Sequence, residues 1–487
     1  MSLSTERWPP RGATTNRADR PERPNRVSLW PVIFAAVAAA LLTLLPAMLL
    51  GPRGALFGGG VVVAVAVVAL ALRRFTVFLV LCLLIRPLLD QVKSSNQTSL
   101  FELTSVLSLL FLAAAALWLI AQREAGVRAP SSGIWLVLLA MVLFSLLSTL
   151  TSLHLMASVT EFIKLVSWFL MFLVVRRLAQ TEESLRTILA AVAAAAVIPL
   201  LCAYYELITP GVGRFWEVRH GLLRLTSTFD LGNSFGRFLM LFVITGFALA
   251  GAWCIPPTRW SRLVTRLALL ALPVPLYFTY TRAAFIGVGV GVLVVLILQD
   301  RRVTALLLVG VALLAFAFPA SRTAIQNGAR PEQTEYTNDS VAWRFDYWQQ
   351  VLELTNGHEL LGIGPGSTTL ETLEGKEPHN EYLRALVENG VLGLLCFLGL
   401  LLTIFLGAVR VARDRLLTPL RRACGAAGAG TIAAIAAAGV ASNIFDSIAF
   451  MWYVAVLVGV VDASIIRFAS RPAGYDQANL PGEVRMG

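Results

Sequence analysis

Charge is what this chain has little of. Only 14% of its 487 residues are Asp, Glu, Lys or Arg, where a soluble globular protein carries about 25%. No polar stretch is long enough to build a sizeable soluble domain. The net charge of +11 therefore has no nucleic-acid-binding module to sit on. Cysteine is scarce too. Cys82, Cys202, Cys254, Cys396 and Cys424 all lie in or beside apolar runs, which speaks against a disulfide framework or a cysteine zinc site. There are four histidines, His154, His220, His358 and His379, and no pair of them has metal-ligand spacing. The acidic residues Glu332, Glu335, Asp339, Glu371, Glu374 and Glu377 form no Asp-x-Asp pattern. No metal and no cofactor is expected. Gly362-Ile-Gly-Pro-Gly366 lacks the preceding strand and the Lys-Ser/Thr of a phosphate loop, and reads as a turn.

What the chain has is hydrocarbon. Hydrophobic residues make up 57% of it, in runs that approach or exceed the roughly 20 residues needed to cross a bilayer as helix. The runs are continuous and not alternating, so a β-barrel is excluded. The fold class is all-α: a polytopic membrane protein of about 14 (12–14) spans with one large extramembrane loop containing short helices. Candidate spans lie near 30–50, 55–72, 75–89, 101–121, 134–153, 159–175, 186–207, 236–255, 264–280, 283–299, 303–319, 391–409, 425–445 and 449–466. The span 75–89 is interrupted by Arg86, and 159–175 holds Glu161 and Lys164 one helical turn apart, a spacing at which they can pair.

Residues 1–28 read as a disordered tail, 29–470 as the membrane domain and 471–487 as a second tail. The first apolar segment starts too late for a secretory signal. With the amino terminus inside, Arg176-Arg177, Arg259 with Arg262, Arg301-Arg302 and the cluster Arg410 to Arg422 all fall on the cytoplasmic side, as the positive-inside rule requires. Three outside segments break the rule. They are 208–235 (with Arg214, Arg219, His220 and Arg224), Tyr280-Thr281-Arg282, and the long loop 320–390. An anionic ligand at the outer surface accounts for basic residues there.

Arg282 sits at the membrane boundary between two apolar helices. A guanidinium there either grips a phosphate in a bidentate way or snorkels to the interface. Arg224 lies in a Gly/Ser/Thr/Asn-rich loop that enters a helix which Asn233 or Ser234 is placed to cap. It is the second phosphate candidate, and Arg214 and Arg219 are weaker ones. Residues 341–354 show apolar residues at helical spacing (Trp343, Tyr347, Trp348, Val351). Two readings stand: a helix on the membrane surface, or a packed loop helix. The densest polar cluster is Pro378-His-Asn-Glu-Tyr-Leu-Arg384, followed by Glu388-Asn-Gly390. An imidazole can take a proton from a sugar hydroxyl. A lone histidine is more often bonded to backbone, but His379 has Glu377, Glu381 and Glu388 nearby. His154 and His358 lack such company, and His220 is held in reserve. Asp446 is a further polar residue at the outer boundary.

Together, Arg224-Leu-Thr-Ser-Thr-Phe, Thr281-Arg-Ala-Ala, Trp343-Arg344 with Tyr347-Trp348, Leu361-Gly-Ile-Gly-Pro-Gly366 and Pro378-His-Asn-Glu-Tyr-Leu-Arg384 resemble the O-antigen ligase/polymerase superfamily of bacterial membrane glycosyltransferases. The likeness covers about residues 200–400. It implies a GT-C-like membrane fold in the bacterial inner membrane, with both termini cytoplasmic and loops 208–235 and 320–390 periplasmic. It implies a donor glycan on undecaprenyl diphosphate, a glycan or lipid A–core acceptor, and inverting, metal-independent transfer. By the same resemblance His379 is the catalytic histidine, and Arg282 and Arg224 hold the diphosphate. Arg214, Arg219, Asn380, Glu381, Arg344 and Tyr280 are secondary substrate-binding candidates. Ligases, polymerases and protein O-oligosaccharyltransferases share the pattern, so the acceptor stays open. The competing reading is a lipid-glycan transporter or flippase. Its usual marks, internal repeats and mid-membrane ionisable residues, are weak here.

Overall fold

A computed structural model describes residues 73–90, 103–124, 132–209, 216–219, 222–250, 269–299 and 341–469, with isolated positions at 66, 68–71, 252, 263 and 267. The helices in these stretches all belong to one unit, Val67–Gly487. They are α1 (Phe75–Leu89), α2 (Leu103–Glu124), α3 (Gly133–Leu150), α4 (Leu155–Leu178), α5 (Glu182–Ala195) and α6 (Val197–Ile208). A two-stranded antiparallel hairpin follows, β1 (Trp216–Arg219) and β2 (Leu222–Leu225). Then come α7 (Gly232–Leu249), α8 (Pro273–Phe278), α9 (Arg282–Leu298), α10 (Val341–Glu353), α11 (Thr368–Glu371), α12 (Glu381–Arg413), α13 (Pro419–Gly439) and α14 (Ile448–Ala469). Among the described residues, six helical segments are long and apolar enough to cross a membrane. The expected spans 30–50 and 303–319 and most of 55–72 lie outside the described residues.

Helix starts follow local chemistry. Ser132, Thr181 and Thr418 cap α3, α5 and α13 by accepting from the backbone N–H of Trp135, Ser184 and Arg421. The interrupted span 75–89 is helical because Arg86 finds Asp90 one turn on, at 2.8 Å, with both side chains buried. A charge in an apolar helix is tolerated when paired. In α4, Lys164 pairs with Glu161, as their spacing suggested.

Several expected spans differ from the helices found. The span 425–445 is α13, which runs from Pro419 to Gly439, and of 264–280 α8 covers Pro273–Phe278. The stretch 186–207 is two helices, α5 and α6, meeting at Ala196. Pro199 has no N–H to continue the ladder there. The span placed at 391–409 starts ten residues earlier, as α12, and turns at Gly390 (φ 68°, ψ −172°). The histidine motif is therefore the entry to this helix and not a loop ahead of it.

Close packing holds the bundle. α9 crosses α13 where Gly291 faces Gly430. A Cβ on Gly430 would lie 2.6 Å from the Gly291 carbonyl oxygen, so only small residues allow this approach. α14 is buried from Ala449 to Ser464 against its neighbours, a stretch that is apolar except for Ser464 and for Asp462, which pairs with Arg176 at 2.7 Å.

Candidate functional site

Pro378-His379-Asn380 is a tight turn at the head of α12. Asn380 Oδ1 accepts from the N–H of Tyr382 and Leu383, at 3.0 and 3.1 Å. His379 is left-handed, with φ 51°, a region where His, Asn and Asp are enriched among non-glycine residues. Trp348 Nε1 donates to the Pro378 carbonyl at 2.7 Å, and the Tyr347 hydroxyl donates to the Lys376 carbonyl. Tyr347 and Val351 are buried with Ile363, Leu383 and Val387. α10 packs one face on the histidine turn. Phe345 and Leu352 on its other side stay exposed.

The flanking carboxylates are both engaged. Glu381 is 5% exposed; its Oε2 accepts from Ile444 N at 2.7 Å and its Oε1 pairs with Arg384 at 2.6 Å. Glu377 Oε2 accepts from Asn443 Nδ2 at 2.8 Å. Burial pushes the Glu377 carboxyl up to about 8; Arg384 pulls it down, while Glu388, Glu161 and Asp446 add to the rise. A carboxyl that holds its proton more tightly folded than unfolded makes the fold less stable as pH rises between the two values. Thermal stability is thus expected to fall as pH climbs from about 4.5 toward about 8. Glu377→Gln is expected to flatten that slope; an unchanged slope in melting curves would refute the assignment.

Arg224, on β2, is 7% exposed. Its Nε donates to the Thr279 carbonyl at 2.9 Å, and its Nη2 to Asn233 Oδ1 at 2.6 Å and Thr281 Oγ1 at 3.3 Å. The hairpin, the start of α7 and the α8–α9 turn meet at this side chain. Gly236 permits the meeting, because a Cβ there would lie 2.7 Å from Thr281 Oγ1. Asn233 was expected to cap α7, as was Ser234. The N-cap is instead Leu231, with no side-chain cap; Asn233 and Ser234 lie inside the first turn, and Asn233 accepts from Arg224. Arg282 opens α9 and is exposed. Among the described residues it has no hydrogen bond or ion pair. Tyr280 beside it has φ 49° and is 38% exposed. Arg344 Nη1 donates to the Ala441 carbonyl at 3.3 Å. Arg214 and His220 lie outside the described residues, as does the side chain of Arg219.

A chain of hydrogen bonds runs between the arginine and histidine segments. Asn233, which holds Arg224, opens the first turn of α7 with Ser234. Arg237, one turn on and 2% exposed, donates to Ser234 Oγ, Asn443 O and Asp446 Oδ1, at 3.4, 2.5 and 2.5 Å. Asn443 and Ile444 then hold Glu377 and Glu381. Sequence reasoning missed Arg237 and Asn443. The signal for Arg237 was present, a charge inside an apolar helix. It also found no charged company for His154, whereas His154 Nε2 lies 2.7 Å from Glu371 Oε1. No short-range pattern announces a contact 217 residues apart. Among the described residues no group of three or more His, Cys, Asp and Glu could hold a metal ion.

The arrangement offers buried and exposed guanidinium groups for an anion and an imidazole for a proton. No curated protein matches the chain. A family model described as O-antigen ligase matches residues 267–398. That segment includes Tyr280, Arg282, Arg344, His379, Asn380 and Glu381; Arg224, Arg237 and Asn443 lie outside it. Over residues 267–398 this multi-helix membrane chain is similar to the O-antigen ligase family, a likeness that supports glycan transfer in O-antigen biosynthesis.

Proposed function

We propose that this protein transfers a glycan from undecaprenyl diphosphate to an acceptor hydroxyl at the outer face of the inner membrane. His379 is the general base. It takes the hydroxyl proton as the acceptor oxygen bonds to the anomeric carbon. The bond from that carbon to the diphosphate oxygen breaks in the same displacement, the diphosphate leaves with the electron pair, and the configuration inverts. Arg282 and Arg224 offset the charge that builds on the leaving group. The loops 208–235 and 320–390 are periplasmic and both termini cytoplasmic in this reading. The observation that carries it is the family match over residues 267–398, which contains both Arg282 and His379. Two features support it. Arg282 is a cation at a helix N-terminus with no partner among the described residues, where an anion is favoured. Beside Glu381 and Arg384 lies a cavity of about 100 Å³ lined by Glu161 and Lys164 as well as by Leu400 and Ile404. Mixed walls of this kind suit an amphiphile.

The experiment is transfer by the purified protein in nanodiscs, with a lipid-diphosphate glycan and a separate acceptor. One added block marks a ligase; a ladder marks a polymerase. No transferred product with any acceptor, while labelled lipid crosses the bilayer, would favour the flippase. Arg282→Ala is expected to raise the donor KM about 10-fold or more, the loss of a charge-assisted contact. Unchanged donor affinity would remove Arg282 from the diphosphate site.

A further inference from the structure

Glu377 and Glu381 flank His379, each two residues away, and one short stretch of the α13–α14 loop holds both. Asn443 Nδ2 donates to Glu377 Oε2 at 2.8 Å. The N–H groups of Ile444 and Phe445 donate to Glu381 Oε2 at 2.7 and 3.4 Å. Asn443 also offers its carbonyl to Arg237 Nη1 at 2.5 Å, one turn of α7 beyond the residue that holds Arg224. Asn443 is buried, at 2% exposure, and among the described residues its Oδ1 accepts no hydrogen bond. A buried amide with one unsatisfied end is costly and calls for an explanation. The left-handed turn at His379 is likewise a conformation that its surroundings must hold in place.

We infer that Asn443 is a positioning residue: it fixes the His379 turn in register with the first turn of α7, whose Asn233 holds Arg224. This rests on the proposed role of His379 as base. The acceptor hydroxyl and the lipid diphosphate arrive as separate molecules, so their reaction depends on keeping the imidazole at a set distance from the diphosphate-binding arginines. Misplacement by about 1 Å can cost about 100-fold in rate. Asn443 reaches one segment by its side chain and the other by its main chain.

The test uses the full chain in nanodiscs, with a lipid-diphosphate glycan as donor. Asn443→Ala is expected to lower kcat about 10–100-fold, with donor KM changed less than about threefold. Asn443→Asp sets a second carboxyl against Glu377. The pair shares one proton at low pH and repels once both ionise. Arg384 and Glu388 of α12, Glu161 of α4 and Asp446 of the same loop also face Glu377, and they are unchanged in both variants. The activity of Asn443→Asp relative to wild type is therefore expected to fall as pH rises, while the Asn443→Ala ratio stays flat. Wild-type kcat in Asn443→Ala overturns the inference. So does a matching rise in donor KM, or the same pH profile in both variants. His379→Ala, run alongside, separates the two ideas. If it is inactive while Asn443→Ala turns over normally, only the positioning role fails; if it retains turnover, the base assignment fails and takes this inference with it.

Discussion

His379→Ala is expected to abolish glycan transfer while leaving lipid-diphosphate binding nearly unchanged. General-base assistance contributes about 10²–10⁴-fold, and an acceptor hydroxyl has little nucleophilicity without it. The turn that carries the imidazole is held by bonds of its neighbours. Asn380 caps α12, Pro378 is bound by Trp348, and Glu377 and Glu381 are tied to the α13–α14 loop. Truncating the side chain should leave the fold in place. The measurement is single-turnover transfer beside equilibrium binding of the donor. A variant that transfers at the wild-type rate ends the base assignment. One that loses donor binding in step with turnover would move His379 from base to donor contact.

The second large effect is structural. Gly390→Ala is expected to destabilise the protein and remove activity together. Gly390 has φ 68° and ψ −172°, a region that belongs almost to glycine alone and costs other residues about 1–3 kcal/mol. Space forbids the change as well, since a Cβ would lie 2.2 Å from the Leu360 carbonyl oxygen. The turn it would strike is bonded to α12 on either side. Ile363 and Gly364 donate to the carbonyls of Val387 and Glu388, and Val391 donates to that of Glu359. Gly362 faces α12 from the other side of this contact, where a Cβ would lie 2.4 Å from the Glu388 backbone. A lower melting midpoint in detergent, with loss of transfer, is the expected outcome. Gly399→Ala makes the control, because its Cβ would meet only Val137 at 3.7 Å. A Gly390→Ala protein that melts and turns over like wild type would show that the Gly390 turn is not needed.

Much of the architecture was legible because a bilayer simplifies the code. Long apolar runs become helices where backbone groups have no water to bond. Helices α3, α4, α7, α12 and α14 all lie where such runs were read. The exceptions have local causes: Pro199 splits one run, and the cap at Asn380 with the break at Gly390 lengthens another. The histidine motif was legible as a density of polar residues at a helix boundary. Its supports were not. Arg237 reaches Asn443 across 206 residues, and Ser148 reaches the Glu388 carbonyl across 240.

By itself, then, the sequence determined that this is a multi-helix membrane protein with its polar chemistry gathered at helix ends, and it singled out Arg282, Arg224 and His379. The reason is that hydrophobic runs and the charges interrupting them are local properties of the chain. Tertiary structure alone decided what surrounds those residues. It turned Asn233 from a helix cap into a partner of Arg224, seated α10 on the histidine turn, and made the α13–α14 loop the tie between the arginine-bearing and histidine-bearing segments. A hydrogen bond's direction and partner depend on which helices pack together, and that packing is set by the whole bundle at once.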